Sequence, residues 1–295
     1  MPSRRSFKDY LRGTLTLEEL NCLRSSLEII GDIAILKLPE ALTGKQSVIA
    51  EAIMSWNRHI KVVLKQTSPV RGEFRLRGLS WVAGERRTET VHREHGCQFM
   101  IDLTKAYFSP RLQFERKRVA ELVKPGETVL NMFAGVGCFS ILIAKLAKPA
   151  KVYSIDLNPT AIEYLNQNIR LNKVEDVVIP ILGDAKEIVS QHVIGPADRV
   201  LLPLPEKAYE YLDVALSALS GGRGTLHYYD FVKTCDSHSY PKPLIEAVIS
   251  KLRGLGGTPL LEGWRTVRSV GPGWYQVALD IKCCKSQGLS VRHRG

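Results

Sequence analysis

The sequence predicts an α/β fold, a doubly wound and mostly parallel sheet that ends in an antiparallel hairpin and follows a smaller α/β unit. Three observations carry this. From Thr128 onward, apolar strand-like runs alternate with helical patterns, the signature of βαβ units. The first run, residues 128–132, passes into a helix through the glycine-rich stretch Asn131-Met132-Phe133-Ala134-Gly135-Val136-Gly137-Cys138-Phe139. The last two runs, 265–270 and 274–282, are separated only by Gly271-Pro272-Gly273, a turn that joins antiparallel strands.

Taken in order, residues 1–21 are basic and polar and read as a short arm. Residues 22–105 read as the small α/β domain. It has a strand over 29–38, a helix over 45–56 with Ile49, Ile53 and Trp56 on one face, and strands over 62–64, 75–79 and 98–103. Residues 106–295 form the larger domain, entered through a helix over 111–122. After the strand ending at Asp156, Asn158 is placed to cap a helix whose first position is Pro159 and whose buried stripe is Ile162, Leu165 and Ile169. Strands over 177–182, 199–202 and 224–231 and a helix over 242–255 lead to the final hairpin. There is no internal repeat and no low-complexity segment.

The glycine turn and the two strand ends that follow it have the chemistry of a nucleotide-type cofactor site. Glycines at the carboxyl end of a parallel strand let the backbone approach a ligand at a helix N-terminus. Gly135 and Gly137 lack the third glycine of the dinucleotide fingerprint, so alone they are equally a tight strand-to-helix turn. Asp156 at the next strand end can accept both hydroxyls of a ribose. Gly183-Asp184-Ala185 at the third strand end puts a carboxylate where an adenine amino group can donate to it. Together these favour S-adenosylmethionine over NAD, and a parallel sheet that finishes in a hairpin is the seven-stranded, Rossmann-like pattern of class I methyltransferases.

Composition narrows the partners. At 295 residues, 44% hydrophobic and 24% charged, the chain has ordinary globular content. No apolar run reaches membrane-spanning length and the start has no signal-peptide core, so a cytoplasmic protein with no membrane partner is expected, most simply a monomer. The six cysteines are scattered and form no CxxC, which excludes a disulfide framework. His92-Arg93-Glu94-His95-Gly96-Cys97 gathers metal-binding residue types but reads as a polar hairpin, and no metal is expected. A net charge of +11 and an isoelectric point near 9.4 suit a polyanion. The excess is clustered, and Arg71, Arg77, Arg86, Arg87 and Arg111 are candidate phosphate contacts for RNA; a solvated basic surface is the plain alternative.

The ordered set Phe108-Ser109-Pro110-Arg111-Leu112, Glu115-Arg116, the turn from Asn131 to Gly137, Ser154-Ile155-Asp156-Leu157-Asn158-Pro159 and Leu226-His227-Tyr228-Tyr229 resembles the archaeal and eukaryal tRNA (guanine-37-N1)-methyltransferase family, which includes the wyosine-pathway methyltransferases. The resemblance covers residues 25–282. It implies methyl transfer from S-adenosylmethionine to the purine at position 37, beside the tRNA anticodon. It also implies Glu115 as general base and Arg75 as the group that holds the base's O6. The cofactor contacts it implies are Phe108, Arg116, Phe133, Gly135, Gly137, Asp156, Leu157, Asp184, Ala185, Pro203 and Pro205. Both catalytic roles make chemical sense, because guanine N1 must lose a proton as the methyl arrives and charge then moves onto O6. From the residues alone, Glu115 is also a surface partner for Lys117 or Arg118, and Arg75 a phosphate contact.

The chain departs from the family pattern at two places. Pro203 replaces the asparagine of the usual Asn-Leu-Pro-x-x-Ala, while Pro205 and Ala208 remain, and a proline offers no side-chain amide or N–H. That variant resembles the archaeal branch that methylates carbon 7 of 4-demethylwyosine, with or without guanine-N1 activity. The residues before Leu27 are also too few for the N-terminal module by which many relatives contact the tRNA elbow. Two rival readings are an aminocarboxypropyl transferase of the wyosine pathway, whose members also lack the asparagine, and a non-catalytic RNA-binding protein, for which Asn131 in place of aspartate is the main argument.

Overall fold

The structure, a computed structural model, describes residues 6–23, 27–192 and 194–285. The chain divides into two compact units, Met1–Pro110 and Arg111–Gly295. Among the described residues no helix is long and apolar enough to cross a membrane.

In the first unit, α1 (Leu17–Cys22) starts at Thr16, whose hydroxyl accepts the Glu19 N–H while Glu19 returns a bond to the Thr16 N–H, a reciprocal cap. Strands β1 (Leu27–Ile30), β2 (Ile33–Leu36), β3 (Val62–Gln66) and β4 (Leu79–Gly84) form a sheet in that order, and α2 (Gln46–Trp56) links the parallel pair β2 and β3. Strands β5 (Glu89–Glu94) and β6 (Cys97–Asp102) form a separate antiparallel hairpin. Ile49, Ala50 and Ile53 of α2 pack on Ala34, Leu36 and Val63 of the sheet.

Three local expectations change. The basic arm expected over 1–21 is, from Ser6 onward, folded into the unit, because Phe7, Leu11 and Leu15 are buried in the same core as α2. The single strand expected over 29–38 is two strands. Gly31 breaks the run at φ +56°, and the Asp32 carboxylate in the turn is held by Arg87 and Thr90. The strand expected over 75–79 starts only at Leu79. Arg71 and Leu76 bond to each other's backbone across a tight loop, and Arg75 lies in it at φ +54°.

The second unit begins with α3 (Gln113–Leu122) and continues through β7 (Thr128–Asn131), α4 (Cys138–Ala147), β8 (Lys151–Asp156), α5 (Pro159–Asn172), β9 (Val178–Leu182), α6 (Ala185–Ser190) and β10 (Arg199–Leu202). Then come α7 (Pro205–Ala208), α8 (Leu212–Ser217), β11 (Arg223–Lys233), α9 (Lys242–Gly254), β12 (Gly257–Gly271) and β13 (Trp274–Lys285). The sheet order is β12-β13-β11-β10-β7-β8-β9, parallel from β9 to β11, with β13 antiparallel between β11 and β12. Asn158 caps α5 by accepting the Thr160 N–H at 3.0 Å, with Pro159 next; of the expected stripe Leu165 and Ile169 are buried and Ile162 is half-buried. The hairpin strands are longer than the expected 265–270 and 274–282. Their outer ends lack an apolar alternation that would mark them, since Leu260 and Glu262 are exposed. The core joins Leu130, Ile155, Val200, Leu202 and Tyr228 of the sheet to Val248 and Leu252 of α9.

The split at Gly31 gives a stability prediction. A Cβ there would meet Thr90 Oγ1 at 2.1 Å and the Val91 carbonyl oxygen at 2.7 Å. Gly31→Ala is therefore expected to destabilise the first unit by about 1–3 kcal/mol, the range for strained backbone and overpacking. A chemical-denaturation midpoint that does not fall would refute this account of the turn.

Candidate active site

β7 has β8 on one side and β10 on the other, so the chain reverses its winding there, and in such sheets the ligand crevice opens at the carboxyl ends of the strands beside that point. Asn131 closes β7 fully buried, its amide donating to Ser140 Oγ at 3.1 Å and its carbonyl accepting the Phe133 N–H at 3.3 Å. It shapes the turn from within, so asparagine here supplies a structural contact. Gly137 begins α4 at φ +92°, and a Cβ on it would come within 2.3 Å of Leu165 Cδ1. The turn is pinned to β8: the Gly135 N–H donates to Asp156 Oδ2 at 2.6 Å, and the Asn158 N–H to Oδ1 at 2.9 Å. Burial raises the Asp156 carboxyl above its ordinary range, opposed by the N–H groups of Asn158, Gly135 and Leu157. With these N–H groups as donors, the two oxygens between them keep acceptor capacity for a hydroxyl. Leu157, next along, leaves its side chain 41% exposed, an apolar surface suited to the face of a purine.

At the end of β9, Asp184 caps α6 by accepting the Lys186 N–H at 2.7 Å, and its other oxygen accepts the Tyr211 hydroxyl at 2.7 Å, with Ala185 buried behind it. Tyr211 packs edge-on against Phe133 at 5.0 Å. This contact, absent from the sequence reading, ties the first and third strand ends together. Pro203 follows β10, and Pro205 is the buried first residue of α7.

Glu115 lies in the first turn of α3 and is 2% exposed. Its carboxylate accepts Arg118 Nη2 at 2.7 Å and the Tyr229 hydroxyl at 2.7 Å on Oε1, and Arg118 Nε at 2.9 Å on Oε2, with Arg265 Nε 3.6 Å from Oε2. The Arg118 pair expected at the surface thus exists, but it is part of a buried cluster. Arg116, the next residue, is 3% exposed. Tyr229 stays a hydroxyl because burial, then the Glu115 charge, pushes its pKa well above the ordinary value.

The remaining residues, except Arg111, belong to the first unit. Arg75 holds a positive φ of +54°, uncommon for a residue with a side chain, and its guanidinium lies 4.4 Å from the centre of the Tyr107 ring. Phe108 is buried edge-on against His92 at 4.9 Å. His92 Nδ1 accepts the Gly31 N–H at 3.2 Å, so the polar stretch 92–97 serves the hairpin β5–β6 and the neighbouring turn. Of the five candidate phosphate contacts, Arg71, Arg86 and Arg111 are exposed, Arg86 stacking on Trp81 at 4.6 Å. Arg77 is spent on Glu28 at 2.5 Å, and Arg87 on Asp32 at 2.5 Å and Glu85 at 2.7 Å.

The strand order, the antiparallel β13 and the carboxylate that grips the glycine turn define a class I S-adenosylmethionine-dependent methyltransferase fold. Residues 90–253 match the TRM5/TYW2 methyltransferase domain and residues 7–88 the TYW2 N-terminal domain, and the chain belongs to the TRM5/TYW2 family. It is 43% identical to the tRNA (guanine(37)-N(1))-methyltransferase Trm5b of Pyrococcus abyssi, over 88% of this chain and 75% of that one. It is 39% identical to the tRNA 4-demethylwyosine(37)-methyltransferase Taw21 of Saccharolobus solfataricus, over 90% and 97%. Identity is 34% to the tRNA(Phe) (4-demethylwyosine(37)-C(7)) aminocarboxypropyltransferase of Methanocaldococcus jannaschii, over 86% and 96%. Among solved structures, the complex of aTrm5 with tRNALeu superposes with a TM-score of 0.80 at 34% identity, covering 96% of this chain and 79% of that one. The M. jannaschii TYW2 complex with AdoMet gives 0.65 at 30% identity, covering 88% and 99%.

The site fits the cofactor through the Gly137 cradle, the Asp156 carboxylate and the exposed Leu157. Asp156→Ala removes a buried carboxylate at the strand end and one anchor of the turn. It is expected to weaken S-adenosylmethionine binding by about 2–4 kcal/mol, the range for charge-assisted hydrogen bonds in a desolvated pocket. Calorimetric titration of the folded variant measures this, and unchanged affinity would remove Asp156 from the site.

Proposed function

We propose that this protein methylates the purine at position 37 of tRNA, either guanine N1, carbon 7 of 4-demethylwyosine, or both. In this reading it works in the cytoplasm as a monomer without a metal ion, Glu115 is the base and Arg75 the group that binds O6. The observation that carries the reading is Glu115 itself, a buried carboxylate held in one orientation in the unit that has the cofactor fold. S-adenosylmethionine, when bound through Asp156, Leu157, Asp184 and the turn around Gly135, supplies an electrophilic methyl group whose carbon–sulfur bond breaks with the electron pair left on sulfur.

The chain's own residues do the rest. Guanine N1 gives up its proton to Glu115 as its lone pair forms the new bond to carbon. Oε2 suits this task, since among the described residues only Arg118 Nε lies within hydrogen-bond distance of it and an oxygen of a carboxylate accepts two. The charge that accumulates on O6 is met by Arg75, whose positive φ and stacking on Tyr107 support a role that fixes the guanidinium in place. Pro203 supports the tricyclic substrate, because no side-chain amide stands where the guanine enzymes have one. The identity to an aminocarboxypropyltransferase supports a second reading, transfer of that larger group from the same cofactor. Nucleoside mass after incubation with unmodified tRNA and with tRNA carrying 4-demethylwyosine separates all three.

Glu115→Gln should lower N1 methylation by roughly 10²- to 10⁴-fold, the usual contribution of a general base. Carbon 7 attacks with ring π electrons and loses its proton afterwards, so the loss there should be smaller. Single-turnover rates on the two tRNAs check this, and negligible losses on both would show that Glu115 is the base in neither reaction.

Binding of tRNA should weaken steeply with salt. Neutralising Arg86 or Arg111 should flatten the slope by about one phosphate contact, whereas neutralising Arg77, already paired with Glu28, should leave it unchanged. Affinity measured across a salt series decides, and equal effects at all three positions would contradict this division.

A further inference from the structure

Glu115 is one end of a line of hydrogen-bonded charged and polar side chains that runs through the second unit. The Arg118 guanidinium is divided between two carboxylates: Nε and Nη2 go to Glu115, while Nη1 reaches Asp280 Oδ2 at 2.5 Å and Nη2 reaches Asp280 Oδ1 at 3.1 Å. Asp280 Oδ1 is 2.6 Å from His227 Nδ1, and His227 Nε2 is 2.7 Å from Arg199 Nη1. Arg199 in turn donates to Glu127 at 2.9 Å and to the Leu122 carbonyl at 2.9 Å. An arginine can only donate, so His227 Nε2 is the acceptor and Nδ1 carries the hydrogen given to Asp280. His227 is fully buried and neutral: burial lowers its pKa, Asp280 opposes this, and Arg199 and Arg118 add to the lowering. For Asp280, burial is outweighed by the hydrogen bonds from His227 and Arg118, which hold its carboxyl below the usual range.

Resting on the reading of Glu115 as base, we infer that Asp280 is a positioning residue that fixes the orientation of Glu115 through the Arg118 guanidinium they share. Gripped from both sides, the fork stays in the plane that orients Glu115, and His227, neutral beside Arg199, keeps its Nδ1 hydrogen aimed at Asp280 and holds that carboxylate in place. The groups that face Glu115 are Arg118 on its own helix, Tyr229 on β11 and Arg265 on β12, with Asp280 on β13 one guanidinium away. Helix α4 also packs on α3, and its one charged side chain, Lys145, turns to the Asn172 carbonyl.

The inference fixes two outcomes. Asp280→Asn turns a donor toward Arg118 or His227 where both need an acceptor, releases one side of the Arg118 fork, and should lower the single-turnover rate at saturating tRNA by about ten-fold, on the scale of general-base effects. Asp280→Glu, which restores the acceptor, should recover part of that rate, and S-adenosylmethionine affinity should stay at the wild-type value in both. The experiment is single-turnover methylation at saturating and at limiting tRNA, which separates a loss of rate from a loss of binding, on whichever of the two tRNAs shows the larger loss with Glu115→Gln. If Asp280→Asn is too unstable to assay, Asp280→Glu, expected between it and the wild type, carries the test. A wild-type rate in the Asp280 variant assayed, with Glu115→Gln strongly impaired, overturns the inference and leaves the base assignment standing. A Glu115→Gln enzyme of wild-type rate overturns the base assignment itself.

Discussion

The buried face of α3 is charged, and much of the second unit is arranged around that constraint. A carboxylate taken out of water needs donors on every side, and removing one partner of such a cluster leaves an uncompensated charge. Glu115 finds its donors on its own helix and on β11, and Arg118 finds its second acceptor on β13. The helix that follows the unit boundary is thereby tied to β11 and to β13, the antiparallel strand that distinguishes this sheet from a plain doubly wound one. A hydrophobic α3 could pack here with less electrostatic cost; the charged one holds Glu115 in a single orientation.

The same economy of charge appears in the first unit, where a basic composition conceals several neutral pairs. Arg77 and Arg87 lie in the basic stretch that suggests RNA, yet each is matched to a carboxylate on β1 or in the β1–β2 turn. Arg86, one residue from Arg87, instead lies exposed over Trp81. A count of arginines in this stretch therefore overstates its surface field, and only the three-dimensional pairing shows which of them project it.

Much of the second unit was legible in the sequence because its signals are local. The capped start of α5, the glycine turn after β7 and the carboxylates ending β8 and β9 depend on residues within a few positions of one another. The Gly-Pro-Gly turn likewise announced the hairpin, though not its length. What stayed hidden depends on register. Asp280 faces His227 only because β13 pairs antiparallel with β11 at that position, and nothing near either residue marks the match. Tyr211 likewise reaches Asp184 across the sheet edge from a distant part of the chain. In the first unit the errors came from single residues that stop a strand: Gly31 interrupts an apolar run, and Arg75 takes a conformation that its type rarely adopts.

The position of β13 also orders events in the making of the protein. Residues 274–285 form an inner strand, flanked by β11 and β12, although they come after both in the chain. While this segment is still being synthesised, β11 lacks its neighbour, and Arg118 and His227 lack the carboxylate they share. Non-local pairing of this kind is the slow part of folding. Glu115 is thus set in its final environment only by a strand made after both of its neighbours, and a nascent chain that has assembled its parallel strands still lacks the carboxylate that holds the far side of Arg118.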